Sequence, residues 1–387
     1  MKKVNAKQVF GVLKRLLVMA FAILLLVVLP AVKLSYDDNL SMIYSTFLGS
    51  KSKYQGIIEI WNIDSFESGT ASKTSFINSI AKSFQNKNKG LYVMVRNLSQ
   101  FECENLLAQG QKPDLFSCSY GVALGLKDYI QPFDNRLKFD TASNFLSAGM
   151  VDSSLMAVAW CRGNYCLIST KGKIESAQKA GAFAGFDFAS EQSMSDEIEK
   201  GKRKLSDIAL LSGYKVQEKN STKTIYSLEV AKSKYQLPQI AFEAYTNKGL
   251  VSISDVDFDQ GSISQSQYSA YSNFIAGNST VLLGTQRDIA RMQNRESLGK
   301  VSDVIYEPVT GFTDLVQFML VAQSNDVTRR EYAEKFAQFL TSESSQSKLS
   351  LIGMFATCNL DINLYENSVM SDISSQKIGD YKVNKLF

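Results

Sequence analysis

The residues best suited to chemistry sit where apolar runs give way to polar sequence. Asp64 and Glu67 follow the run Ile58-Glu59-Ile60-Trp61, and two carboxylates flanking a glycosidic bond are the acid/base pair of sugar hydrolysis. Such pairs come from separate elements, whereas these lie on one short loop. They are better read as acceptors for ligand hydroxyls, or as solvated carboxylates that cap a helix beginning at Ser72. Arg287, in Gly284-Thr285-Gln286-Arg287-Asp288, offers a fork of donors to hydroxyls or a carboxylate, or a salt bridge to Asp288 or another acid. Trp61 and Trp160 are the only tryptophans. Both adjoin turn-like sequence, and an indole covers the C–H face of a sugar as readily as it fills a core. Tyr120, beyond Pro113–Ser117, and Tyr165, beside Gly163-Asn164, complete the candidates chosen by position.

Several chemistries are excluded or weakened. The chain has no histidine, which removes Ser-His-Asp and Cys-His catalysis and every metal site built on imidazole. No catalytic residue, metal ligand or cofactor is expected. Cysteines 103, 118, 161, 166 and 358 show no zinc-type spacing. Cys161 and Cys166 flank a Gly-Asn turn, where a cross-strand disulfide is the alternative to five reduced thiols. No G-x-x-x-x-G-K-[ST] loop occurs, so any ATPase is a separate chain.

The elements that would position these side chains follow from apolar periodicity. A strand over Gly56–Trp61 precedes a helix from Ser72 to Asn86, with Phe76, Ile77, Ile80, Ala81 and Phe84 on one face. Leu91–Val95 reads as a strand, Gln100–Gln109 as a helix and Pro113–Ser117 as a third strand. Strand and helix in alternation imply a parallel α/β sheet, whose ligands sit at the carboxyl ends of the strands. Gln265–Ala276 reads as a helix with Tyr268, Tyr271, Phe274 and Ile275 inward. Val281–Leu283 and Leu315–Val321 read as strands, and Arg329–Leu340 as a helix. Residues 171–260 give no clear pattern.

The N-terminus has a different character. Leu16–Val32 carries no charge and follows the basic stretch Lys2–Arg15, as a signal anchor or secretion signal requires. At 1.5 Å per residue the run spans about 25 Å, slightly short of a bilayer core of about 30 Å. Leu29-Pro30-Ala31 is a poor cleavage site, and no cysteine follows the run for lipidation, so an uncleaved transmembrane helix is expected. The formal charge of +4 resides in this segment. Six basic residues and no acidic ones precede Asp37, and the remaining 36 basic residues face 38 acidic ones. That balance speaks against nucleic-acid binding.

Three stretches resemble the extracellular family 1 solute-binding proteins, which include maltose-binding protein. They are Ile58–Phe66 with the following helix and Pro113-Asp114-Leu115; Phe274–Gly284; and Tyr332–Ser342 followed by Gln346 and Gly353. The resemblance implies an α/β, two-lobed, periplasmic-binding-protein-like fold of type II, here with an N-terminal transmembrane helix. It adds Phe312 and Phe355 as cleft candidates, with core packing the competing reading. The expected organisation is a basic stub and anchor over 1–33 and a stalk over 34–55. Lobe 1 is expected over 56–158 plus 280–321, and lobe 2 over 159–279 plus 322–387. The implied function is capture of a carbohydrate or similar small polar solute on the outer face of the membrane. The implied partner is the permease of an ABC importer. An anchored sensor and an envelope hydrolase are the rivals.

Overall fold

The computed structural model describes residues 51–187, 193–218, 221–233, 236–246, 261–360 and 364–387. The apolar run Leu16–Val32 and most of the expected stalk lie outside these residues. Among the described residues no helix is long and apolar enough to cross a membrane.

The first half alternates as expected, as β1 (Lys51–Ile63), α1 (Lys73–Lys87), β2 (Lys89–Leu98), α2 (Gln100–Ala108) and β3 (Leu115–Ser119). Strand β1 begins inside the expected stalk. Its side chains alternate between two cores: Ile58 and Ile60 meet Phe76, Ile77 and Ile80 of α1, while Trp61 and Ile63 meet Phe116 and Cys103. A central parallel strand covered on both faces must be apolar on both, so the run is nearly continuous. Helix α1 starts where the Ser72 side chain accepts from the Ser75 amide, satisfying one of the unpaired N–H groups of its first turn.

Strands β4 (Ile130–Gln131) and β5 (Ala157–Arg162) complete the first lobe's contribution before the chain crosses over. The second lobe holds β6 (Tyr165–Thr170), α3 (Lys171–Lys179), β7 (Tyr214–Glu218), β8 (Ser221–Ala231) and α4 (Pro238–Thr246). It continues with β9 (Gly261–Ser264), α5 (Gln267–Ile275), β10 (Ser279–Thr285), α6 (Gln286–Ser297) and β11 (Val304–Pro308). The chain then returns through β12 (Val316–Ala322) and α7 (Val327–Leu340) to the first lobe, and α8 (Ser368–Ser375) follows.

Two six-stranded sheets result, ordered β2-β1-β3-β12-β4 with β5 beside β12, and β9-β8-β10-β6-β11 with β7 beside β8. In the first, β1 runs parallel to β2 and β3, and β12 is antiparallel to its neighbours. In the second, β8, β9 and β10 are mutually parallel where they pair, and β6 runs against β10.

These pairings move the expected lobe boundaries. Strand β10, placed in lobe 1 from sequence, is central to the second sheet, whereas Trp160 and the rest of β5 belong to the first. Tyr332, Phe336 and Leu340 of α7, placed in lobe 2, pack into the core beneath β1. The Gly163-Asn164 pair is no hairpin turn. It is a crossover, because β5 pairs with β12 and β6 with β10 and β11. A second crossover runs alongside, and the Gly163 amide donates to the Leu315 carbonyl at 2.6 Å. Buried Arg162 braces the pair: its guanidinium lies between the rings of Phe355 and Tyr381 and donates to the carbonyls of Ala356 and Ile373.

Candidate functional site

A cavity of about 410 Å³ opens between the lobes. From the first lobe it takes Ser65, Phe66 and Glu67, on the loop after β1. The second lobe contributes Ala231, Lys232, Ser233 and Gln236 after β8, Gln265 to Tyr268 after β9, and Thr285 at the end of β10. Tyr165 and Leu315 form its floor at the two crossovers. Every one of these loops leaves the carboxyl end of a parallel strand, where an open α/β sheet binds its ligands.

The loop after β1 is fixed from its own lobe. Lys73, 1% exposed, makes an ion pair with Asp64 at 3.2 Å, stands 4.1 Å over the Phe66 ring and donates to the Phe66 carbonyl. The Thr70 amide donates to the Ile352 carbonyl at 3.0 Å. At that point Gly69 meets Gly353 so closely that a Cβ on Gly69 would lie 2.7 Å from the Gly353 oxygen, so neither position tolerates a side chain.

The second lobe holds the same loop from across the cleft. Arg291 on α6 donates to both Glu67 oxygens, at 2.9 and 3.2 Å. Arg287 donates to the Gly69 carbonyl at 2.9 Å, and Gln286 to the Glu67 carbonyl at 2.6 Å. Gln236 donates to the Ser65 carbonyl at 2.8 Å. An adjoining space of about 430 Å³, lined by the loop itself, Lys73 and Arg287, borders these contacts.

On the cleft floor Tyr165 donates to Asp314 at 3.0 Å, and the Leu237 amide donates to the other oxygen of that carboxylate at 2.6 Å. Burial pushes Asp314 up to about 6 and raises the Tyr165 phenol well above its usual range. Among the described residues no group of three or more His, Cys, Asp or Glu forms a metal cluster.

The nine residues singled out from sequence divide. Glu67 and Tyr165 line the cleft, while Asp64 and Arg287 line the adjoining space. Arg287 pairs with the opposite lobe, leaving Asp288 to Arg291 at 2.9 Å. Trp61 and Trp160 are core residues, 1% and 0% exposed. Trp61 is not terminal, since β1 continues to Ile63, and its indole packs edge-on against Phe116 and donates to Glu59. Trp160 stacks on Phe76 at 5.7 Å and donates to Ser117. A buried indole needs such a partner for its N–H, and both have one. Phe312 and Phe355 pack in second-lobe cores, and Tyr120 packs against the core beneath Trp61. All five cysteines are free and buried. Cys161 pairs with β12 and Cys166 with β10 and β11, on different sheets, which rules out the cross-strand disulfide.

Sequence reasoning missed Phe66, Lys232, Gln236, Gln265 and Gln267, and it turned Tyr268 inward. Tyr268 is 64% exposed in the first turn of α5, beyond the end of the sheet, with Arg291 5.5 Å from its ring. The alternation Tyr226-Ser227-Leu228-Glu229-Val230 was the available signal for β8 and hence for the loop that follows it.

No family model matches the chain, and no curated protein does. Solved structures do. The MalE sugar-binding protein of Xanthomonas citri superposes with a TM-score of 0.53 at 14% identity, over 85% of this chain and 87% of that one. The GacH receptor of Streptomyces glaucescens, solved unliganded and with acarbose, gives 0.52 at 13%, over 83% and 84%. The substrate-binding protein Lmo0181 of Listeria monocytogenes, solved with cycloalternan, gives 0.52 at 12%, over 86% and 89%. The fold is that of the two-lobed ABC substrate-binding proteins. In this fold the cavity between β1, β8, β9 and β10 is the space between the lobes, and the Glu67–Arg291 contact spans its mouth.

Proposed function

We propose that the protein is an extracytoplasmic solute-binding protein that captures a carbohydrate or similar polar solute between its lobes and delivers it to an ABC permease. The observation that carries this reading is the lining of the interlobe cavity. Aromatic surface from Phe66 and Tyr268 stands among the amides of Gln236, Gln265 and Gln267 and the charges of Glu67 and Lys232. Aromatic faces cover the C–H surface of a sugar, and amides and carboxylates bond its hydroxyls. The sugar and oligosaccharide complexes of proteins with this fold support the same ligand class. In this reading Leu16–Val32 anchors the protein, with the basic stub inside and both lobes outside.

A thermal-shift screen against sugars, oligosaccharides, amino acids and peptides tests it. A ligand at 100 times its Kd should add about 2.7 kcal/mol of stability, and it should be recovered intact after long incubation. Stabilisation by none of the sugars would remove the carbohydrate assignment, and release of a cleaved product would establish a hydrolase. N-terminal sequencing of the native protein tests the anchor: a mature start near Val32 would show cleavage.

A further inference from the structure

A second cavity, of about 750 Å³, lies in the second lobe at the end of the sheet remote from the cleft. It is bounded where β6 ends, β8 and β10 begin, and α3 starts. Lys173, Lys179 and Lys223 line it together with Tyr214, Ser279 and Thr280, and among the described residues no carboxylate does. Three ammonium groups around one concavity repel one another unless an anion or water separates them.

The details point the same way. Lys173 is held inward, its Nζ donating to the Ser279 carbonyl at 3.2 Å and standing 4.6 Å over the Phe274 ring. Ser279 is 1% exposed and its hydroxyl has no hydrogen-bond partner among the described residues. A buried hydroxyl of this kind costs free energy unless something supplies the missing bond. The first turn of α3 adds a helix N-terminus, whose positive end favours an anion. Burial and the neighbouring Lys223 charge pull Lys173 down to about 8, consistent with a cation short of a counter-charge.

We infer that this cavity is a binding site for a phosphate-bearing anion, separate from the cleft, with Lys173 and Lys223 as the charge contacts and Ser279 as a hydroxyl contact. The phosphate is carried either by a soluble compound or by a lipid headgroup of the membrane. The inference does not rest on the sugar reading, since no lining residue is shared with the cleft.

Lysine footprinting tests it on the full chain reconstituted in phosphatidylcholine nanodiscs. In one arm inorganic pyrophosphate is added; in the other, phosphatidylglycerol replaces part of the lipid. The acetylation rates of Lys173 and Lys223 are read by mass spectrometry, with exposed Lys87 of the first lobe as reference. Selective slowing by pyrophosphate supports a soluble ligand, and selective slowing only with phosphatidylglycerol supports a headgroup. Either protection should weaken about tenfold in ligand concentration for Lys223→Gln, as for loss of one charge-assisted hydrogen bond. Lys179→Gln, on an exposed side chain, repeats the test without disturbing the core. Equal slowing at Lys87, no slowing in either arm, or protection unchanged in both variants would overturn the site.

Discussion

Glu67 of the first lobe and Arg291 of the second form an ion pair at 2.9 Å, with side chains 50% and 17% exposed. It links the two lobes beside the cleft. A pair this exposed contributes less than about 1 kcal/mol, which biases an equilibrium between open and closed forms by at most about fivefold. Glu67→Gln should therefore increase the ligand-free radius of gyration in small-angle scattering, with the melting temperature nearly unchanged. Raising the salt concentration should do the same to the parent protein. Identical scattering from parent and variant would mean that the crossovers alone set the angle.

Trp160 tests where affinity and stability part. With its indole stacked on Phe76 and its N–H on Ser117, Trp160→Ala should cost about 3–5 kcal/mol in chemical denaturation. Ligand affinity in the folded fraction should be unaltered. Weakened affinity at full stability would return this residue to the cleft, where its position beside a turn had suggested it lay.

Tyr268 should behave in the opposite way. It is largely exposed and stands beside Arg291 of the same lobe, 5.5 Å from its ring, so Tyr268→Ala removes little packing. Calorimetry with the best ligand from the screen should show a loss of about 1–3 kcal/mol, typical of a stacking aromatic, while thermal unfolding stays within error. Retained affinity would place the solute elsewhere in the cavity.

What the sequence disclosed follows from how each element is buried. Strands β1 and β3 are covered on both faces, and Ser72 and Ser99 cap the helices beside them, so apolar runs and stop signals agreed. The ribbon of β7 and β8 was illegible because its outer half, Ser221 to Thr224, is largely exposed and polar. Without β8 and β9 there was no basis for finding Gln236 or Gln265 at their carboxyl ends. The tryptophans misled for a related reason: a strand's end can be located only to within a few residues, and two more residues of β1 move Trp61 from rim to core. Cys161 and Cys166 looked like hairpin partners because a Gly-Asn turn and an interlobe crossover read alike until the strands' partners are known.

The buried carboxyl of Asp314 should leave a signature in the pH dependence of stability. Its folded value is raised to about 6 by burial, against about 3.9 for an unfolded aspartate. Between those values the folded state holds the proton more tightly, so this group's contribution favours folding at low pH and is lost as pH rises through about 6. The Leu237 amide and the Tyr165 hydroxyl offset part of the desolvation, leaving a contribution on the order of 2–3 kcal/mol between pH 4 and pH 7. Surface carboxylates paired with a cation, such as half-buried Asp134, held low by Arg136, tilt the whole-protein profile the other way, so the parent curve alone does not isolate the effect. The difference between parent and Asp314→Asn does. Measured by urea denaturation from pH 4 to pH 7, the variant should gain on the parent as pH rises and level off above about 6. A flat difference would mean that Asp314 is ionised in the folded protein throughout, its charge stabilised by the amide and the phenol.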